Sequence, residues 1–229
     1  MNHFPSHLIW PLAASLVLCL FSWGKYALYP FRLFTTWVHE CSHATSASLL
    51  GGQVQKITLA PDTSGLTVYQ LPKSRARQAI VASSGYLGSS LAGCALYLAS
   101  VSNLDSQILV IAVGVTLALS LLFWVRGAFG MITVTALAAA FLALGHYGNH
   151  AITRPVFAFL AVQTALGALL DIRTLFGLGH RTRSDAHDMQ SLLVLPYWFW
   201  ALLWMGESVA LMAYTIYTFD YSRTHFGVL

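Results

Sequence analysis

Long apolar runs recur along the chain, separated by short polar stretches. The first extends from Leu8 to about Tyr29 with no Lys or Arg before it. It lacks the charged start of a signal peptide and is too long for the apolar core of one, so it predicts a first membrane helix. Four or five more follow, at roughly 78–101, 106–124, 129–147, 155–176 and 193–219, each near the length that crosses a ~30 Å hydrocarbon layer. Within the third run, Gly85, Ser89 and Gly93 recur at four-residue spacing, a pattern that lets membrane helices pack closely.

Two segments break this rhythm. Pro30 followed by residues 31–50 and then Gly51-Gly52 predicts a helix with proline at its start and glycine past its end. That helix carries Thr35, Thr36, His39, Glu40, Ser42, His43, Thr45, Ser46 and Ser48, so it must be wrapped by other helices or line a wet cavity. Residues 53–72 then place two β-prone runs around Pro61-Asp62-Thr63-Ser64-Gly65, which predicts a hairpin. Lying between membrane helices, it sits at the interface or folds back into a protein-lined cavity.

Composition agrees with this pattern. The 229 residues are 57% hydrophobic and 9% charged, far from the roughly 25% charged residues of a soluble domain. Mean hydropathy is +0.65. An ordinary soluble enzyme and a disordered chain are excluded. A formal charge of +4 on scattered basic residues is no nucleic-acid signature, and three separated cysteines make no disulfide framework. If the 31–50 helix crosses, one side collects Lys56, Lys73, Arg75, Arg77, Arg126, Arg173, Arg181 and Arg183. The other receives Lys25, Arg32, Arg154 and Arg223. The richer side is then cytoplasmic, with the N-terminus and hairpin inside.

The chemistry concentrates in His39-Glu40-Cys41-Ser42-His43, an HExxH motif on the polar helix. Residues four apart share a helix face, so both imidazoles can bind one zinc ion, and Glu40 can act as general base. A catalytic zinc usually has a third protein ligand. Asp171 sits in the apolar run FLAVQTALGALLDIRTLF, where a carboxylate needs a cation or a metal. Arg173, two residues on, points to another side of a helix. Asp185 and Asp188 follow Ser184 at a helix start, where a cap and acids in the first turn are favoured for their own sake. Asp171 is preferred, and Asp185 stays open as the alternative.

The stretch HECSHATSASLLGGQVQKITLAPDTSGLTV resembles the metal helix and following hairpin of site-2-protease-like intramembrane zinc metallopeptidases, in particular a small compact branch of predicted membrane metallopeptidases. The likeness continues through SSGYLGSS, LLDIRTLF and SDAHDM to LPYWFWALLW, and so covers residues 30–204. The resemblance implies His39 and His43 as zinc ligands and Glu40 as base. It matches Asp171 to the family's later aspartate and Gln163 to the asparagine of the same motif, a position from which Gln163 would contact substrate or oxyanion. The prolines and the glycine of that family motif are absent here, which keeps Asp185 in play. The hairpin resembles the element that lies by the substrate groove.

These readings combine into one domain over residues 1–229: an all-α, polytopic membrane bundle of about six to seven spans with a hairpin over 53–72. The implied activity is zinc-dependent hydrolysis of a peptide bond in a membrane protein or peptide, in or beside the lipid bilayer. The expected location is a bacterial inner membrane, with the site toward the cytoplasm. The rival is a catalytically silent scaffold or transporter that retains the metal.

Overall fold

The computed structural model describes residues 6–21, 23–176 and 184–226. Helix α1 spans Ser6–Leu20 and α2 spans Gly24–Leu49. Strands β1 (Gln53–Leu59) and β2 (Gly65–Gln70) follow, then α3 (Arg75–Val101), α4 (Ser106–Phe123), α5 (Ala128–Tyr147) and α6 (His150–Leu175). A short α7 (Asp185–Leu193) precedes the long α8 (Tyr197–Phe226). Five of these, α3, α4, α5, α6 and α8, are long and apolar enough to cross a membrane. The chain is an integral, multi-pass membrane protein. Arg181, Arg183 and His180 lie outside the described residues.

The N-terminal run is not one helix. The helix breaks before Gly24, where a Cβ would collide with the Leu18 carbonyl oxygen, so only glycine permits this approach. Among the described residues α1 has 15, and it is not one of the helices long and apolar enough to cross a membrane. Pro30 lies inside α2 rather than at its start. The chain has already turned helical at Gly24, so Pro30 only removes one bond from a ladder set by the residues before it.

Two buried clusters tie the bundle together. Phe34 and Trp37 of α2 pack with Ile57 of β1, Leu117 of α4, Val134 of α5 and Leu160 of α6. Tyr86 of α3 packs with Ile172 of α6, Met189 of α7 and Trp204 of α8. Lipid tails are as apolar as these side chains, so close packing and satisfied polar groups hold such helices together. The Trp37 indole N–H accordingly donates to Ser120 Oγ at 2.9 Å. The small-residue face of α3 serves two ends: Gly93 lets Ala165 of α6 approach, whereas Gly85 faces α2.

The hairpin folds back alongside α2. Its strands pair antiparallel, with Ile57 opposite Thr67. The Tyr29 hydroxyl donates to Pro61 O at 2.7 Å, and the Thr36 hydroxyl to Thr63 O at 2.7 Å. The turn is therefore latched near the start of α2, and the strands run beside the polar face of that helix. The outer edge of β1 is also occupied: Ile57 N–H donates to Trp124 O, and Arg126 N–H to Ile57 O, both at 2.8 Å. The Arg126 guanidinium in turn caps carbonyls of Leu121 and Leu122 at the end of α4.

Candidate metal centre

Helix α2 sets His39 and His43 on one face, one turn apart, with their Nε2 atoms 3.0 Å apart. The first turn of α7 brings Asp185 to the same point. Its Oδ2 lies 3.1 Å from His39 Nε2 and 3.3 Å from His43 Nε2. The three donors all lie within 4.8 Å of one another. His43 is buried, and His39 and Asp185 are partly covered. Ser184 occupies the cap position of α7, yet its hydroxyl pairs with His187 Nδ1 at 2.9 Å rather than capping the helix.

The contacts around the rings decide which nitrogens are available. Val81 O lies 2.7 Å from His43 Nδ1 and can only accept, so that nitrogen carries the proton. That leaves Nε2 as the nitrogen that can give its lone pair to a metal, with loss of its proton to Asp185 or water when one binds. The His39 ring meets the Tyr86 ring edge-on at 4.7 Å, and Tyr86 stacks on Trp204 at 4.9 Å. Burial alone would raise the Asp185 carboxyl. The two imidazoles, His43 foremost, outweigh it and hold the group below the ordinary carboxylate range.

This donor set fits zinc. At zinc–ligand distances of about 2.0–2.1 Å, tetrahedral donors stand about 3.3 Å apart. The three separations here, 3.0, 3.1 and 3.3 Å, are close to that. Two imidazoles and one carboxylate match a catalytic set that leaves the fourth position open. Gly85 keeps the space beside them clear: a Cβ there would stand 2.4 Å from His39 Nε2 and 2.5 Å from His43 Nε2.

Glu40 follows His39 and turns toward the hairpin. The Thr67 hydroxyl donates to Glu40 Oε2 at 2.6 Å and lies 3.0 Å from the Glu40 carbonyl oxygen. Gly65 sits so near that a Cβ would be 2.6 Å from Glu40 Oε1. Both carboxylate oxygens therefore lie against β2.

Residues 12–215 match the family model described as Peptidase M50B-like. The chain belongs to that family. No curated protein and no solved structure matches it. Membership of this peptidase M50B-like family supports a membrane metallopeptidase, and its match takes in both α2 and α7.

In this peptidase M50B-like chain the structure places Asp171 and Gln163 away from the cluster. Asp171, preferred over Asp185, is not in the His39, His43, Asp185 group. It sits in the last turns of α6, within the electrostatic reach of His39 and Arg32. The cap and dipole explanation of Asp185 missed that α7 packs on α3, which carries its first turn inward to the histidines. Gln163 faces α1 instead, and its amide donates to Ser15 Oγ at 2.6 Å. A half-buried amide in an apolar helix is costly without such a partner, and Ser15 supplies it. Gly85 and Thr67 were not singled out for the site. The spacing around Gly85 is also that of a packing stripe, and the alternation in β2 does not say which residue meets Glu40.

Proposed function

We propose that this chain is a zinc-dependent endopeptidase that hydrolyses a peptide bond of a membrane-embedded substrate. His39, His43 and Asp185 would hold the ion. Zinc, when bound, supplies Lewis acidity that makes water acidic and polarises a carbonyl. Glu40 takes the proton from the attacking water and passes it to the amide nitrogen as the C–N bond breaks. Thr67 holds the Glu40 carboxylate in place for both transfers.

A helical substrate segment has its peptide groups hydrogen-bonded and shielded, so it must unwind before cleavage. The hairpin suits that need. The outer edge of β1 is taken by residues 124–126, whereas β2 pairs only with β1 among the described residues. An extended substrate segment can add to β2, the strand that covers Glu40. The basic residues 56, 73, 75, 77 and 126 support a site facing the cytoplasm.

The observation that carries this reading is the convergence of His39, His43 and Asp185 beside Glu40. A scaffold or transporter that merely retained metal would leave Glu40 only its bond to Thr67. Glu40→Gln is the test, because glutamine keeps the shape but cannot take the proton. Cleavage of a membrane-anchored reporter should fall by about 10²–10⁴-fold, with zinc content unchanged. Undiminished cleavage by the Gln variant would refute the role.

A further inference from the structure

The chain has two glutamates, Glu40 and Glu207. Glu40 is bonded to Thr67. Glu207 is exposed on α8 and makes no hydrogen bond or ion pair among the described residues. Its depth follows from the aromatic residues of the same helix. Tyr197, Trp198, Phe199 and Trp200 stand at one end of the span, and Tyr214 and Tyr217 near the other. Such rings anchor at the two membrane interfaces. Glu207 lies ten residues from both Tyr197 and Tyr217, about 15 Å from each at the helical rise. That is the middle of a ~30 Å hydrocarbon layer.

A bare carboxylate at that depth is costly, and acidic residues in spans almost always meet a partner. The surroundings leave room for one. A cleft of about 460 Å³ beside Glu207 is lined by Leu87, Leu91, Ala210, Leu211 and Tyr214. Its floor is closed by the buried Ser90–Ser208 hydroxyl pair at 2.6 Å, so those polar groups are already satisfied. Gly206 and Ala210 are exposed one turn apart, with nothing near the Cβ position of Gly206, so another helix backbone can approach closely.

We infer that the α3–α8 face around Glu207 docks a transmembrane helix of a partner protein that carries a Lys or Arg at mid-membrane depth. Charge complementarity selects that occupant. An all-apolar helix would leave the carboxylate unpaired, and a second copy of this chain would set glutamate against glutamate. The site is separate from the metal centre and does not depend on the proposed hydrolysis.

The test uses the full-length chain with a fluorescent donor, reconstituted in phosphatidylcholine vesicles. The probes are acceptor-labelled single-span Leu-rich peptides, one with a central Lys and one with Leu at that position. Energy transfer to the Lys peptide should exceed that to the Leu peptide by about three- to tenfold, the scale of interhelical polar contacts. Glu207→Leu should erase the difference, with circular dichroism confirming an unchanged helix content. Equal transfer to both peptides would overturn the inference, as would a Lys preference that survives Glu207→Leu. Energy transfer between labelled copies of the chain that is lost in Glu207→Leu would also overturn it, because the occupant would then be a second copy.

Discussion

Thr67 Oγ1 stands 2.6 Å from Glu40 Oε2, which ties the hairpin to the residue that would move the proton. A buried hydrogen bond to a charged acceptor is worth about 1.5–3 kcal/mol. Thr67→Val keeps the shape of the side chain and removes that donor. Its kcat should fall about tenfold or more with KM little changed, and Thr67→Ser should recover most of the loss. Steady-state cleavage of a membrane-anchored reporter separates the two parameters. An equal loss in the Ser and Val variants would mean that Thr67 serves packing alone.

Gly85→Ala should remove zinc. The added methyl would collide with both histidine Nε2 atoms, so the two rings must swing away from the positions in which they meet Asp185. Gly93→Ala offers the comparison. Its methyl would press on Ala165 Cα at 2.9 Å and loosen the packing of α3 on α6, away from the histidines. Elemental analysis of the two purified variants should find zinc depleted in the first and retained in the second.

How far the sequence reveals this site depends on the range of each signal. The HExxH spacing is a local property of one helix, so the meeting of His39 and His43 can be read directly. The hairpin is legible for the same reason, since a turn cluster lies between two β-prone runs. Asp185 is different. Its place depends on how α7 docks on α3, a contact between residues about a hundred positions apart, and no local pattern encodes it. Asp171 attracts attention because a carboxylate in an apolar run is unusual, but that argument demands a partner without saying which one. Gln163 shows the same gap: its partner is Ser15, at the other end of the chain. The break before Gly24 was hidden because hydropathy does not register a backbone collision.

The latch at the hairpin turn should control how often β2 lifts from Glu40. Tyr29→Phe and Thr36→Val each delete one side-chain donor to the turn, and each such bond contributes about 1 kcal/mol. In the double variant, hydrogen exchange of the β2 amides should quicken by about tenfold or more while the amides of α3 are unaffected. Equal exchange in the wild type and the double variant would show that the Thr67–Glu40 bond and the backbone bonds of β1 seat the hairpin without the latch.

The central claim is that Asp185, not Asp171, completes the metal centre with His39 and His43. Zinc content and affinity of the purified full-length protein, measured in parallel for the wild type, Asp185→Ala and Asp171→Ala, test it most directly. The account predicts one zinc per chain in the wild type and in Asp171→Ala, and a sharp loss in Asp185→Ala. Zinc retained in Asp185→Ala and lost in Asp171→Ala would contradict it.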